Sequence, residues 1–286
     1  MSVSTPVGKW IYPTVPVSSC EPFLRWLGGK RWLAPQLVDI LGELTFRRYL
    51  EPFLGGGACF FHICPATALL SDVNEELVNV YVQVRDHCDE LMDALRELNV
   101  DRQTFEHLRH AVPKCDLGRA VRFLYLNRTA FSGIYRLNSG GRFNVPFGDG
   151  KRTPEILWRN GLLPRASRAL QGAEISSTDF EEVLNQANES DLVYCDPPYT
   201  VKHNCNGFRR YNERLFSWRD QERLAAACFR AVERGATVIV SNAYHEEIAS
   251  LYPGVEAHVF ERSSNLCPET SRRAAVKEQL FVLRPG

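Results

Sequence analysis

The chain has 286 residues, and its 34 basic and 34 acidic side chains balance to a formal net charge of zero. Hydrophobic residues make up 44% of it and charged residues 24%, which are the proportions of a globular protein with enough apolar material for a core. The composition predicts one large domain or one domain with an insertion. No run approaches about 18 consecutive apolar residues, so we expect no transmembrane helix. The first twenty residues lack a basic stretch followed by an unbroken apolar one, so we expect no secretory signal.

The first part of the chain alternates strand and helix patterns after an N-terminal leader. Residues 1–21 contain prolines and small polar residues, so we expect them to be flexible. Apolar residues at helical spacing, such as Leu33, Leu37 and Leu41, predict the first helix. The predicted elements are a helix over 32–44, a strand over 48–53, a glycine turn at 55–57, a helix over 58–63, a strand over 66–70 and one long amphipathic helix over 74–98.

The region from about 100 to 165 interrupts this alternation. It shows one clear helix pattern, over 117–126, and then a loop over 127–150 that is rich in glycine, asparagine and aromatic residues. Such loops often carry function on a rigid scaffold. We therefore interpret this region as an insertion with a function of its own.

The alternation resumes after the insertion and ends in two strands. Asp179 and Ser217 are typical helix N-cap residues. The predicted elements are a strand over 174–177, a helix over 180–186, a buried strand over 192–195, a helix over 217–234, the strongest strand pattern over 236–240 and two antiparallel closing strands over 255–260 and 279–283. This succession predicts an α/β fold.

Two neighbouring segments carry opposite charge although the whole chain is neutral. Residues 72–106 hold ten acidic and three basic side chains, a net charge of −7, whereas residues 109–165 hold eleven basic and three acidic ones, a net charge of +8. All eleven bases except Lys114 and Lys151 are arginine, whose planar fork binds phosphate groups and guanine edges. Charge alone leaves two interpretations open: a solvated surface on which the two segments pair, or a site for a polyanion.

A glycine turn follows the first predicted strand, in the run EPFLGGG over 51–57. Glycines at this position let backbone amides approach a ligand closely. Asp72 ends the next strand, where an acid accepts hydrogen bonds from ribose hydroxyls in nucleotide-binding folds. Phe60 stands where a dinucleotide fingerprint has its third glycine, so the turn disfavours NAD.

A second motif, LVYCDPPY over 192–199, places an acid at the end of a buried strand. Its two prolines fix the backbone and cannot donate hydrogen bonds. The arrangement suits a flat base with an exocyclic amine: Asp196 and the Pro197 carbonyl would accept its two N–H bonds, while Tyr199 stacks on the ring. In an arbitrary protein a bare D-P-P-Y is more often a rigid turn. Residues 204–210 are predicted to form a mobile loop over the substrate.

The run FLRWLGGK over 23–30 has two glycines before Lys30, as a P-loop has. Its spacing differs from G-x-x-x-x-G-K-[ST], and Arg31 replaces the magnesium ligand, so we do not expect an ATPase. Trp26 and Lys30 would instead meet an aromatic ring and a carboxylate.

Cysteine and histidine residues do not point to a metal site or a covalent nucleophile. The nine cysteines are an odd number without a C-x-x-C pair, which argues against a disulfide framework and a zinc site and favours reduced thiols in the cytoplasm. Cys195 lies in a predicted strand and is expected to pack in the core. The pairs His203/Cys205 and His107/His110 lack further ligands and are expected on the surface.

The motifs, in this order, resemble those of the Dam-type (D12 class, group α) DNA adenine-N6 methyltransferases from about residue 22 onward. The runs that carry the resemblance are FLRWLGGK, EPFLGGGACFF, SDVNEEL, FLYLNRTAFSGIYRLNSGGRFNVPFG, DLVYCDPPY and RSSN over 262–265. The resemblance implies an α/β class I methyltransferase (Rossmann-like) fold, with a mixed seven-stranded sheet and an inserted helical target-recognition domain. Residues 22–74 and 166–286 would form the catalytic domain, and residues 75–165 the DNA-binding insertion between the second and third strands.

The resemblance also implies an activity. A methyl group would pass from S-adenosylmethionine to N6 of an adenine flipped out of double-stranded DNA, without a metal and without a covalent intermediate. The basic excess of the insertion would bind phosphates. We expect a cytoplasmic monomer without membrane contact, and the resemblance allows a cognate restriction endonuclease as a partner in the cell.

Site residues follow by matching the motifs one position at a time. The implied catalytic residues are Asp196, Pro197, Pro198 and Tyr199. The implied cofactor-binding residues are Trp26, Lys30, Glu51, Pro52, Phe53, Gly55, Gly57, Asp72, Asp179, Phe180 and Asp196. The implied DNA-binding residues are Arg128, Ser132, Ile134, Arg136, Asn138, Asn144, Pro146, Lys151 and Arg152.

Base specificity is predicted from the loop that matches the family's base-reading loop. Arg136 and Asn138 could read guanine or adenine edges in the major groove. The family commonly has a basic residue after P-F-G, whereas this chain has Asp149, which cannot donate to guanine but can accept from cytosine N4. The expected site is therefore GATC or a related short sequence.

Two alternatives remain open at the level of sequence. An N4-cytosine methyltransferase also needs a pocket for a flipped amine, but such enzymes usually have Ser where this chain has Asp196. A non-catalytic DNA-binding relative is the other alternative. The presence of Asp196, Tyr199, Lys30 and Asp72 speaks against it, because inactive relatives tend to lose such groups.

Overall fold

A computed structural model of the chain describes residues 20–41, 44–138, 140–148, 153–158, 161–199, 216–263 and 275–286. Its strands are β1 (Arg48–Glu51), β2 (Ala68–Ser71), β3 (Ala173–Ser176), β4 (Asp191–Cys195), β5 (Thr237–Ala243), β6 (Glu256–Ser263) and β7 (Ala275–Leu283). Its α-helices are α1 (Ala34–Leu41), α2 (Ala58–Ile63), α3 (Glu75–Asp86), α4 (Cys88–Arg96), α5 (Arg102–His110), α6 (Asp116–Thr129), α7 (Leu162–Leu170), α8 (Phe180–Asn185), α9 (Trp218–Glu233) and α10 (Glu246–Ala249). None of these described helices is long and apolar enough to cross a membrane.

The strands form a mixed seven-stranded sheet in the order β3-β2-β1-β4-β5-β7-β6. The pairs β2–β3, β1–β4 and β4–β5 are parallel, whereas β7 runs antiparallel to both β5 and β6. Helices α3 to α7 lie between β2 and β3 in the chain. The predicted α/β fold with a mixed seven-stranded sheet is confirmed, and so is the antiparallel pairing of the last two strands.

The chain divides into two compact units, of which the first comprises the residues up to Thr45 and Leu54–Ser177. Its core is helical: Leu77 and Tyr81 of α3 and Phe123 of α6 are fully buried. Leu77 and Tyr81 stand four residues apart, the helical spacing that places apolar side chains on one face. The Asn74 side chain caps α3 by accepting a hydrogen bond from the backbone N–H of Leu77.

The second unit comprises Phe46–Phe53 and Thr178–Gly286. Strand β4 is buried along its whole length, and the carboxylate of Asp191 at its start is paired with Arg48 at 2.7 Å. Helix α9 begins with the predicted N-cap: Ser217 and Asp220 form a reciprocal capping box. Cys195 ends β4 fully buried, which confirms its predicted place in the core.

The predicted single helix over 74–98 is wrong, because the structure breaks it into α3 and α4. His87 leaves the helical conformation with φ −133° and ψ 39°. A break of one residue keeps the apolar spacing nearly in phase, and no glycine or proline marks the position. Hydrophobic periodicity therefore could not show this break.

The insertion holds more regular structure than the sequence pattern predicted. Helix α7 was not predicted, and His107 and His110 were expected on a helix whose bounds the sequence pattern did not give, although Asp101 is an N-cap that accepts from the Thr104 N–H at 2.7 Å. Phe105 is the buried residue of α5, so this helix has little apolar periodicity. The predicted loop over 127–150 is partly ordered by two antiparallel bridges, Ala130 with Phe147 and Leu137 with Phe143.

Candidate active site

The glycine turn of the first unit is held by Asp72. One oxygen of its carboxylate, Oδ2, accepts the N–H of Gly55, and the other, Oδ1, accepts the N–H of Asn74, both at 3.0 Å. Burial raises the pKa of Asp72, and these two backbone hydrogen bonds oppose that rise. A carboxylate offers about four lone-pair sites, so positions for further donors remain on Asp72.

Trp26 lies directly against the same turn. A Cβ atom added at Gly55 would lie 2.9 Å from Cδ1 and Nε1 of the indole, and one added at Gly56 would lie 2.9 Å from its Cβ. Gly55 and Gly57 have φ angles of 47° and 64°, a region that side-chain-bearing residues rarely adopt. Glycine is therefore required here both for the backbone conformation and for the close approach of the tryptophan.

A stack of aromatic rings runs from Trp26 toward the insertion. The Trp26 ring lies nearly parallel to Phe123, with 6.4 Å between centroids, and Phe123 stacks on Tyr135 at 3.9 Å. Burial raises the pKa of Tyr135 to about 12. Lys30, also predicted for the cofactor site, is only 3% exposed, and its carbonyl accepts hydrogen bonds from the start of α1.

The predicted base-reading residues lie on the segment that the two bridges order. Arg136 is exposed, and its Nε donates to Oδ1 of Asn144 at 2.9 Å. The Asn138 side chain accepts from the N–H groups of Gly140 and Arg142, both at 3.0 Å, which closes the tip of the segment. Three other predicted DNA-binding residues are accessible: Ser132 and Pro146 are exposed, and Ile134 is half-buried.

Arg128 departs from its predicted role. This side chain is 3% exposed, and its guanidinium donates to the carbonyl oxygen of Ile156 at 2.9 Å and to that of Phe23 at 3.5 Å. A phosphate contact needs an accessible guanidinium, so we assign Arg128 a structural role and correct its assignment as a DNA contact. Lys151, Arg152 and Asp149 lie outside the described residues.

Part of the basic excess of the insertion is used within the first unit itself. Arg119 forms ion pairs with Glu76 at 2.8 Å and with Asp116 at 3.0 Å. The Arg122 guanidinium donates to two backbone carbonyl oxygens, those of Leu108 and Arg109. Both interpretations of the charge pattern therefore keep a physical basis, since some arginines pair internally while Arg136 and Arg142 are exposed.

In the second unit, the D-P-P-Y run leaves the end of β4 as irregular chain. Asp196, Pro198 and Tyr199 are half-buried and Pro197 is buried. The Tyr199 hydroxyl donates to Oε2 of Glu278 at 2.9 Å and lies 3.1 Å from Oγ of Ser241. Burial raises the pKa of Tyr199 well above its ordinary value, and the nearby carboxylates of Asp196 and Glu278 raise it further.

Two of the remaining predicted cofactor residues of the second unit, Phe53 and Phe180, belong to an aromatic cluster. Phe53 stacks on Phe180, with 5.3 Å between centroids, and Phe216 meets both rings at 5.5 Å. The Arg223 guanidinium lies 4.8 Å above Phe180 and donates to Asp179 at 2.9 Å. Pro52 is buried, and so is Glu51, which accepts a hydrogen bond from the Tyr49 hydroxyl at 2.9 Å.

Several residues of this site were not predicted from the sequence. Ser241 and Glu278 contact Tyr199, while Phe216 and Arg223 contact Phe180. A polar pair that interrupts the apolar run of β5, in the sequence VIVSN, was the available signal for Ser241. Among the described residues, no group of three His, Cys, Asp or Glu side chains is placed to hold a metal ion. The pair His203/Cys205 and residues 204–210 lie outside them.

Comparison with known proteins gives a family and several relatives. Residues 26–266 match the family described as D12 class N6 adenine-specific DNA methyltransferase. A type II methyltransferase of Lactococcus lactis subsp. cremoris is 33% identical over 269 residues, covering 90% of this chain and 93% of the relative. A type II methyltransferase of Methanocaldococcus jannaschii is 31% identical, with coverages of 92% and 98%. The DNA adenine methylase of Escherichia coli (strain K12) is 31% identical over 271 residues, with coverages of 92% and 95%.

Proposed function

The chain belongs to the D12 class of N6 adenine-specific DNA methyltransferases, and we propose that it moves a methyl group from S-adenosylmethionine to N6 of an adenine flipped out of duplex DNA. We further propose that the adenine lies in GATC or a related short site. The observation that carries this proposal is the half-buried Asp196 at the end of the fully buried strand β4, followed by two prolines and Tyr199.

The proposed chemistry uses the acceptors of this loop. S-adenosylmethionine, when bound, supplies a methyl group on a positively charged sulfur. Asp196 and the carbonyl oxygen of Pro197 would accept the two N–H bonds of the adenine amine, which favours a pyramidal nitrogen with an available lone pair. Tyr199 would stack on the base. Catalysis would consist of positioning and electrostatics.

The first unit has groups that fit the proposed cofactor. Ribose hydroxyls need acceptors, and the Asp72 carboxylate has lone-pair sites beyond the two that hold Gly55 and Asn74. The glycine turn offers backbone close to the Trp26 indole, where an added Cβ would not fit. Lys30 completes the set that the resemblance implies for this unit. The residues implied in the second unit, Glu51 to Phe53, Asp179, Phe180 and Asp196, stay predictions.

Residues 75–165 are proposed to recognise DNA. The exposed side chains of Arg136 and Asn138 suit guanine or adenine edges, and the exposed Arg142 suits a phosphate. Extruding the adenine from the duplex costs about a few kcal/mol in lost stacking and pairing. Contacts of residues 75–165 with the phosphate backbone and the bases of the DNA would offset that cost. We also propose that the protein acts as a cytoplasmic monomer.

The decisive experiment measures methyl transfer to unmethylated duplex DNA by the wild type, by Asp196→Ala and by Asp39→Ala. Asp39 is an exposed residue of α1, which makes its alanine variant a matched control. We expect the wild type and Asp39→Ala to incorporate methyl groups equally and Asp196→Ala to incorporate none above background. Equal incorporation by Asp196→Ala would overturn the catalytic assignment.

The recognition site is tested in cells. An otherwise unmethylated host expressing the chain would have its DNA read by long-read sequencing, which detects N6-methyladenine in its sequence context. Modification in GATC or a close relative of it supports the proposal. A different consensus would discard the GATC assignment without touching the reaction itself.

A further inference from the structure

The end of strand β5 carries two consecutive buried polar side chains, Ser241 and Asn242. They follow the apolar residues Val238 to Val240, and both are fully buried. Successive residues of a strand point to opposite faces of the sheet. A polar group buried without a hydrogen-bond partner destabilises the fold. The hydrogen-bond partners of Ser241 and Asn242 therefore indicate which parts of the chain these two side chains hold in place.

On one face, Ser241 contributes to holding Tyr199. Its Oγ lies 3.1 Å from the Tyr199 hydroxyl, which donates to Oε2 of Glu278 at 2.9 Å. Glu278 is only 1% exposed and stands on β7, where it pairs with Ala243 of β5. The ring of Tyr199 is therefore tied at its far end to two strands of the sheet.

On the other face, Asn242 contributes to holding Pro198. Its Nδ2 donates to Oε1 of Gln221 in helix α9 at 2.9 Å, and Nε2 of Gln221 reaches the carbonyl oxygen of Pro198 at 3.5 Å. The Asn242 side chain is itself oriented, because its Oδ1 accepts the N–H of Ala243 at 2.8 Å. Gln221 is fully buried.

The two central residues of the Asp-Pro-Pro-Tyr loop cannot donate hydrogen bonds from the main chain. Pro197 and Pro198 have no N–H, so only carbonyl oxygens and side chains can fix their position. We propose that Ser241 and Glu278 on one face, and Asn242 with Gln221 on the other, are positioning residues that clamp the Asp-Pro-Pro-Tyr loop. This inference rests on the proposed function, in which that loop binds the flipped adenine.

The clamp makes a specific prediction about coupling. Glu278 acts through the Tyr199 hydroxyl, so removing either group removes the same contact. Pairs that act through one contact show non-additive effects in a double-mutant cycle. The clamp orients the loop for the reaction rather than binding DNA, so the loss falls on kcat and not on the KM for DNA.

The test measures single-turnover and steady-state methyl transfer for wild type, Tyr199→Phe, Glu278→Ala and the double variant, with Glu278→Gln as the conservative variant that keeps an acceptor. Glu261→Gln on β6, an exposed position, is the control that leaves activity unchanged. We expect Tyr199→Phe and Glu278→Ala each to lower kcat about tenfold with KM within about twofold. The double variant should be no worse than the worse single one, and Glu278→Gln should recover most of the loss.

A fluorescent base provides a second readout. The fluorescence of DNA with 2-aminopurine in place of the target adenine rises when that base leaves the stack. We expect the single and double variants to reach the same final fluorescence, and this value should differ from that of the wild type. The clamp would be overturned if the double variant lost kcat by the product of the two single losses, or if the variants changed KM alone. In either case a wild type that methylates DNA would leave the proposed function standing. A wild type that does not methylate DNA would overturn the proposed function and this inference with it. Gln221→Ala tests the opposite face, and a loss of kcat of about tenfold is expected there as well.

Discussion

The main-chain N–H of Gly55 donates to Oδ2 of Asp72 at 3.0 Å, so an acid at the end of one strand orients the turn that follows another. Asp72 therefore has two tasks under the proposed function: it holds the turn, and it offers acceptors to a ribose. Its substitution should affect folding stability and cofactor affinity together.

Asp72→Ala should weaken S-adenosylmethionine binding and lower the free energy of unfolding by about 1–3 kcal/mol, because two backbone N–H groups lose their acceptors. Calorimetric titration of the cofactor and urea unfolding measure the two effects, and Asp39→Ala is the control for both. An unchanged affinity for the cofactor would contradict the role of Asp72 in that site.

Gly55→Ala tests the close approach of Trp26. The new Cβ would lie 2.9 Å from the indole at a φ of 47°, so the ring or the turn must move. We expect a loss of about 1–3 kcal/mol in stability and a clear loss of cofactor affinity.

Gly141→Ala is the matched control for that substitution. Gly141 has a similar φ of 71°, but nothing lies within 4 Å of an added Cβ. Its alanine variant should show the cost of backbone strain alone and leave the cofactor affinity unchanged. Equal effects of the two variants would show that the tryptophan contact adds nothing.

The sequence could predict where the strands lie because most of them contain a short apolar run between helix or turn patterns. The buried run ending at Cys195 and the capping residue Ser217 are local signals, and local signals survive in the folded state. The break at His87 could not be predicted, since the helical spacing continues across it. Helix α5 has Phe105 as its buried residue, so its place is decided by packing and capping rather than by periodicity.

The candidate site was predictable where the motif itself holds the chemistry. Asp196 and Tyr199 belong to one run of sequence, whereas Glu278 comes from a strand almost eighty residues further along. Arg128 shows the opposite case: an arginine in a basic segment proves to be buried against backbone carbonyls. Residue type and spacing do not show which arginines the fold uses internally.

Salt dependence distinguishes arginines that contact DNA from those that pair within the protein. Arg142 is exposed, whereas Arg119 is paired with Glu76 and Asp116. We expect Arg142→Ala to reduce the slope of log K against log salt by about 1, because each phosphate contact releases about one counterion. Arg119→Ala should leave that slope unchanged. Binding isotherms at several salt concentrations measure it, and equal slopes for Arg142→Ala and wild type would contradict the phosphate contact.

Tyr135 should make the protein less stable at alkaline pH. Burial raises its pKa from 10 to about 12, so in this interval the folded chain keeps a proton that the unfolded chain has lost. The folded state then binds more protons, and the free energy of unfolding falls as pH rises, by up to about 1.4 kcal/mol per pH unit from this group.

The variant Tyr135→Phe tests this, because phenylalanine cannot ionise. Its free energy of unfolding, measured with urea, should decline less steeply between pH 10 and pH 12 than that of the wild type. The difference between the two curves isolates Tyr135 from the other buried tyrosines, which are present in both proteins. Parallel curves would mean that Tyr135 ionises as readily in the folded chain as in the unfolded one, and the ring stack with Phe123 would then not shield its hydroxyl from water.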